Sequence, residues 1–338
     1  MSFHIMGTGS CLPERQVTND ELSAFLDTDD EWISTRTGIH SRPVCTTETL
    51  DDLALGAARR ALESAGIAPA DLDYIVCTTC TAERATPAQA CVVQQRLGAT
   101  CPAFDINGAC AGFVFGLDVV DGLISAGRAR HVLLLSAEKM SRLADWTDRS
   151  TAVLFGDGAA AAVLGAGGDS PLYLRCTTQG DSDVIHAWAP CGNSPFDQVK
   201  PGHDEGTFMK MRGREVFKFA VTHIASQMQQ LSRETGIGLD DIDHFVFHQA
   251  NKRIIDAGVE RLGLDPERVT YTIDHTANVS SACIPLTLDR LAAAGRLRAG
   301  DLVAMFGFGS GLVTGSCLVR WQPRLPGDGA SDGDEMKN

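Results

Sequence analysis

ALESAGIAPADLDYIVCTTC, residues 61–80, lies over LSRETGIGLDDIDHFVFHQA, residues 231–250, at an offset of 170. Gly66, Ile67, Asp71, Asp73 and Val76 then meet Gly236, Ile237, Asp241, Asp243 and Val246. Each copy reads as a helix closed by a glycine, an acidic turn and a short apolar strand. Two further echoes follow. Ala126-Gly127-Arg128 matches Ala294-Gly295-Arg296 at an offset of 168, and FGDG at 155–158 is answered by FGSG at 308–311. Ordered matches of this kind mark a duplicated chain. Strands alternating with helices predict layered α/β halves, residues 1–170 and 171–322, packed about a pseudo-twofold axis. The last stretch, residues 323–338, is polar and rich in Gly and Asp, and is expected to be a disordered tail.

Composition narrows the function classes. The chain has 338 residues, 44% hydrophobic and 21% charged, enough for one large domain or two medium ones. Aromatics are only 6% while Gly numbers 34, which predicts close backbone packing rather than bulky cores. The apolar runs at 129–137 and 159–166 are too short to span a bilayer, and residues 1–9 read as a buried strand rather than a leader, so a cytoplasmic protein is expected. A net charge of −14 argues against nucleic acid as a partner. Eleven cysteines, an odd number without a secretory signal, do not suggest a disulfide framework. Cys77 and Cys80 form a CxxC, but no second pair completes a zinc set, and both are read as structural.

Three residues carry the chemistry. The 168 offset sends Cys110, in DINGACAGFVFGL, onto Asn278, in DHTANVSSACIPLTLD. Each lies where a strand gives way to an apolar helix, so the two helix starts should converge on one site. Small neighbours around Cys110 suit a tight turn and close substrate approach. At a helix start the thiol is predicted to feel the positive end of the macrodipole, its pKa to fall and its thiolate fraction to rise. His248, in FVFHQANKRI, ends an apolar strand, where an imidazole can bond a substrate carbonyl or exchange a proton. Asn278, which alone would read as an N-cap, can donate its amide to an oxygen that becomes negative during reaction.

Taken together, Cys110 in ACAGF, His248 in HQANKRI, Asn278 before SSACIP and the terminal loop GFGSG resemble β-ketoacyl-ACP synthase III, from about residue 5 to residue 321. The resemblance implies a thiolase-like, duplicated five-layered αβαβα fold with two mixed sheets. It implies an acyltransferase in which Cys110 takes an acyl primer from acyl-CoA, and His248 and Asn278 orient malonyl-ACP for decarboxylative Claisen condensation. The backbone N–H groups of Cys110 and Ser310 map to the family's oxyanion hole. DEWISTRTGI resembles the coenzyme A segment, with Trp32 and Arg149 sandwiching adenine and Arg36 and Thr37 near the nucleotide. Thr86, Met140 and Phe155 match acyl-pocket positions. Arg214, Lys218, Lys252 and Arg253 match or neighbour the positions that dock the acyl carrier protein. A homodimer without metal or redox cofactor is implied, coenzyme A entering only as the substrate thioester.

The chain departs from the family pattern in places. Thr86 stands where acetyl-specific members often have Phe, which by volume predicts a longer or branched primer. Ala277 replaces the usual Gly before the Asn, although Ala reaches positive φ less cheaply than Gly, and Val279 replaces the following Thr. Other readings keep the acyl-cysteine but use another primer or acceptor, in fatty acid or specialised synthesis, or make the chain a noncatalytic partner of a synthase. The intact Cys110, His248 and Asn278 speak against the last. A 3-hydroxy-3-methylglutaryl-CoA synthase should show an acidic base near the cysteine, and the sequence shows no obvious one. Plant-type polyketide synthases carry GFGPG where this chain has GFGSG.

Overall fold

The structure is a computed structural model and describes residues 3–188 and 207–323. The expected tail lies, from residue 324 on, outside the described residues. The first half runs β1 (Phe3–Cys11), α1 (Asp30–Thr37), α2 (Leu50–Ala65), β2 (Tyr74–Thr78), α3 (Gln89–Leu97), β3 (Ala103–Ile106), α4 (Gly112–Ser125), β4 (His131–Lys139) and β5 (Asp157–Ala166). The second runs β6 (Tyr173–Asp181), α5 (Gly213–Thr235), β7 (His244–Phe247), α6 (Lys252–Leu262), α7 (Cys283–Ala293), β8 (Leu302–Gly309) and β9 (Gly311–Arg320).

The repeated sequence is a repeated structure. Helices α2 and α5 both end on a left-handed glycine, Gly66 at φ 71° and Gly236 at φ 73°. A 3₁₀ turn follows each, Pro69–Asp71 and Leu239–Asp241, and leads into β2 and β7. The first sheet has the order β1-β5-β4-β2-β3 and the second β6-β9-β8-β7. In both, the first three strands pair antiparallel and the fourth joins in parallel. The place of a fifth strand in the second sheet is marked by a single parallel bridge between Phe245 and Val269.

Burial follows from the layering. Helices α4 and α7 touch strands of both sheets, α2 and α3 cover the first sheet, and α5 and α6 lie together on the outside of the second. The five layers are therefore α, β, α, β, α. Being sandwiched, α4 buries Phe113, Val114, Leu117, Val120 and Ile124 completely, which is why it is apolar on nearly every face. These side chains join Ile284, Leu288 and Met305 in one core that crosses the pseudo-twofold axis. On the outside, α2 presents the buried Ala54, Ala57, Ala58 and Ala61 to β1 and β5, so alanine lets helix and sheet approach closely. No helix among the described residues is long and apolar enough to cross a membrane.

Three of the outer helices begin with side-chain caps, Asp29 for α1, Thr49 for α2 and Asn251 for α6, while α3 and α5 do not. Nor do the two central helices. Instead, α4 and α7 are each preceded by one 3₁₀ turn, Ala109–Ala111 and Ser280–Ala282, with no side-chain cap. Their uncapped starts hold Cys110 and follow directly on Asn278.

Candidate active site

A cavity of about 620 Å³ opens where the two central helices begin, and Cys110, His248, Asn278 and Ser310 all line it. Asn278 is clamped to the first half through its backbone. Its N–H donates to Leu154 O at 2.9 Å, and its carbonyl accepts from Gly156 N at 3.1 Å. The turn after it completes the join, for Ser280 Oγ lies 3.4 Å from Cys110 Sγ. The Asn278 side chain accepts from Ser280 N at 2.8 Å through Oδ1, which leaves the NH2 group as the donor open to a ligand. Asn278 is thus both tied through Oδ1 to the start of the 3₁₀ turn and a candidate donor.

The equivalent turns share a backbone feature. Ala109, before Cys110, has φ 45°, and Ala277, before Asn278, has φ 53° with ψ −159°. Ala277 adopts the conformation that a glycine would reach more cheaply, and it is fully buried there. Replacing it with Gly should release about 1–3 kcal/mol of strain. Against that stands about 0.5–1 kcal/mol of added chain entropy in the unfolded state. Ala277→Gly is accordingly expected to raise the thermal midpoint, and calorimetry showing a lower one would sink this reading of the turn.

His248 follows β7 and is 1% exposed. Its N–H donates to Phe306 O at 2.8 Å, and its ring meets Phe308 edge-on with centroids 5.2 Å apart. Gln249, also buried, pins the strand end: Nε2 donates to Phe247 O at 2.8 Å, and Oε1 accepts from Thr272 N at 3.0 Å. Burial lowers the His248 pKa to about 3, so the imidazole is neutral at physiological pH. Among the described residues no opposite charge offsets that effect.

The expected low pKa at Cys110 is not what the structure contains. Burial pushes the thiol up to about 12, and the Ser280 hydrogen bond offsets this only in part. The physical reason is geometric: Cys110 sits in the 3₁₀ turn before α4 rather than at its first full turn, and an anion, Glu138, adds to the desolvation. Glu138 itself is fully buried, and its Oε2 lies 3.4 Å from Cys80 Sγ. Cys80, read from the sequence as structural, lines the cavity 3.8 Å from Ser280 Oγ, while Cys77 is buried in β2. The sequence reading missed Glu138, Ser280 and this role of Cys80. Glu138 ends an apolar strand and carries no local signal beyond being a charge there.

The remaining predicted residues divide. Met140 and Phe155 line the cavity together with Leu143, Leu154 and Met209. Thr86 does not: it is exposed and absent from the cavity wall of its own chain, because the segment after β2 runs out over the surface. Trp32 has the Arg36 guanidinium 4.7 Å and the Arg149 guanidinium 4.9 Å from its ring centroid, so these three side chains do meet. Thr37 faces inward instead. Its hydroxyl donates to Ile33 O at 2.7 Å and accepts from Ile39 N at 3.0 Å, closing α1, and the residue is buried.

Arg214, Lys218, Lys252 and Arg253 are all exposed. Arg36, Arg214 and Arg253 line a recess of about 340 Å³ that shares Gly213, Phe217 and Asn251 with the main cavity, so a basic rim adjoins its mouth. Lys218 is absent from that wall. Lys252 is committed elsewhere, 2.8 Å from Asp256 and over the Tyr271 ring.

Comparisons with known proteins agree with this architecture. The models of 3-oxoacyl-[acyl-carrier-protein (ACP)] synthase III and of its C-terminal part match residues 104–181 and 232–321. A β-ketoacyl-[acyl-carrier-protein] synthase III of Rhizorhabdus wittichii is 44% identical over 94% of this chain and 98% of its own. The crystal structure of 3-oxoacyl-[acyl-carrier-protein] synthase III from Aquifex aeolicus superposes with a TM-score of 0.88 at 38% identity, covering 95% of this chain and all of that one. The priming β-ketosynthase of the R1128 polyketide biosynthetic pathway superposes with a TM-score of 0.86 at 36% identity, covering 95% of this chain and 96% of that one.

Proposed function

The chain belongs to the 3-oxoacyl-[acyl-carrier-protein] synthase III family of condensing acyltransferases, and from that premise we propose that it joins an acyl primer, delivered by coenzyme A, to malonyl carried on acyl carrier protein. The observation that carries this reading is the meeting of Cys110, His248 and Asn278 on one cavity, from two halves of a duplicated fold.

The first half-reaction is acyl transfer. The Cys110 thiolate attacks the thioester carbonyl of acyl-CoA, the oxygen becomes negative, and the coenzyme A thiolate leaves as the acyl-Cys110 thioester forms. The backbone N–H groups of Cys110 and Ser310 are the donors assigned to that oxygen. In the second half-reaction malonyl thioester loses carbon dioxide, leaving an enolate. A neutral imidazole and a carboxamide suit this step, because both can donate to the enolate oxygen without themselves titrating. The enolate carbon then attacks acyl-Cys110, and the Cys110 thiolate is expelled as the β-ketoacyl product departs.

Support for the partners is electrostatic. An acidic chain of net charge −14 needs a local basic surface to receive an acidic carrier, and Arg36, Arg214 and Arg253 supply one beside the cavity mouth. Trp32 and Arg149 are assigned to the coenzyme A adenine. The reading places the enzyme in the cytoplasm as a homodimer.

Incubation with acyl-CoAs of several lengths should add one acyl mass to the peptide containing Cys110, and Cys110→Ala should abolish the adduct. No adduct from short, branched or long primers would refute the transfer role. A different cysteine carrying the label would do so as well.

A further inference from the structure

Glu138 is a fully buried carboxylate that the condensation steps leave unused. Its Oε1 accepts from Ser281 Oγ at 2.6 Å; its Oε2 accepts from Thr81 Oγ1 at 2.6 Å and from Cys80 N at 3.1 Å. Burial raises the Glu138 pKa, and the donors converging on the carboxyl group, one of them a main-chain N–H that cannot turn, offset this only in part, so the group is poised to accept a proton. Burying an anion is costly unless it is paired. No cation is among its hydrogen-bond partners.

Besides the hydroxyls of Ser281, Thr81 and Thr79, the titratable groups around it are thiols. Cys77 and Cys80 come from β2 and the segment after it, Cys110 from the turn before α4, and Cys283 from the start of α7; each feels the Glu138 charge. On its own strand, the neighbouring Lys139 lies opposite Asp157 in register. From Cys110 a chain of polar hydrogens leads to the carboxylate. Cys110 Sγ donates to Ser280 Oγ at 3.4 Å, Ser280 Oγ lies 3.8 Å from Cys80 Sγ, and Cys80 Sγ donates to Glu138 Oε2 at 3.4 Å.

We propose that Glu138 and Cys110 share one proton along this chain, so that Glu138, a positioning residue acting through Cys80 and Ser280, holds the thiol proton while the Cys110 sulfur is an anion. The step balances. Cys110 gives its proton to Ser280 Oγ, Ser280 passes its own to Cys80 Sγ, Cys80 passes its own to Glu138, and the site keeps a single negative charge throughout. Charge is moved within the pair rather than created in a buried site. That removes the obstacle posed by a thiol whose own pKa burial has raised. When the coenzyme A thiolate leaves, the proton on Glu138 is the one that neutralises it. The inference rests on Cys110 being the nucleophile proposed above.

Alkylation of Cys110 by iodoacetamide, followed by peptide mass, reports the sulfur anion without any acyl donor. For a coupled pair the wild-type rate should rise with pH, level off, and rise again at the second ionisation, in two steps rather than one. Glu138→Gln should climb about tenfold per unit without the step, since one uncoupled ionisation remains. Glu138→Asp should restore a displaced step. A merely structural carboxylate would lower the rate evenly and leave the shape unchanged.

A wild-type profile with no step overturns the proposal, as does a Glu138→Gln profile that keeps it. Should Glu138→Gln fail to fold, the wild-type curve and its displacement in Glu138→Asp decide the matter, and an undisplaced step then counts against the pair. An enzyme that alkylates as expected yet takes no acyl group from acyl-CoA would sink the functional reading and leave this one standing.

Discussion

Asn278→Ala and His248→Ala are each expected to slow condensation by about 10²–10³-fold, the loss of one preorganised donor worth about 2.7–4 kcal/mol. Acylation of Cys110 should stay within about tenfold of wild type, because neither side chain faces the acyl-CoA oxygen in the proposed scheme. Mass spectrometry of the acyl-enzyme and release of labelled carbon dioxide from malonyl thioester separate the two steps. Equal loss in both would show that the residues hold the site together rather than act on the enolate. The pH dependence adds a check on His248. Its folded pKa is lowered from 6.5 to about 3, so the neutral imidazole persists as pH falls through the physiological range. The same depression means that the stability it contributes is present above pH 6.5 and is lost as pH falls toward about 3. Condensation should therefore show no acid limb at the ordinary imidazole pKa.

Gly309→Ala should be nearly as damaging, through backbone alone. A Cβ at Gly309 would stand 2.7 Å from Cys110 N and 3.1 Å from Cys110 Cβ. The first is a main-chain atom that cannot rotate away, so the Cys110 turn or the end of β8 must shift. A misplacement of about 1 Å at a reacting group costs on the order of 10²-fold in rate, and overpacking typically costs about 1–3 kcal/mol. The expected result is loss of most acylation with a lowered thermal midpoint. Gly122→Ala is the matched control, since a Cβ there meets nothing within 4 Å. Wild-type acylation in Gly309→Ala would show that the terminal glycine loop is not pressed against the nucleophile.

Much of this architecture is written in local pattern. The helix–glycine–acidic turn–strand unit recurs because the same backbone path needs the same left-handed closure at Gly66 and Gly236. From that recurrence alone the pairing of Cys110 with Asn278 follows, and the structure brings both to one cavity. Met140 and Phe155 fall on the cavity wall, whereas the burial of Thr37 and the exposure of Thr86 in one chain depend on how α1 closes and where the loop after β2 runs, which a motif does not encode.

Residue order by itself determined that two like halves exist and which strand ends and helix starts would face each other, since duplication and periodicity are one-dimensional properties. Only tertiary packing decided the electrical character of the centre. It buried the sulfur and the imidazole, which pushes the thiol pKa up and the imidazole pKa down, and it set the Glu138 carboxylate, from the end of β4, against Cys80 on the wall of the same cavity. Desolvation and through-space contact come from the assembled layers, and no stretch of sequence contains them.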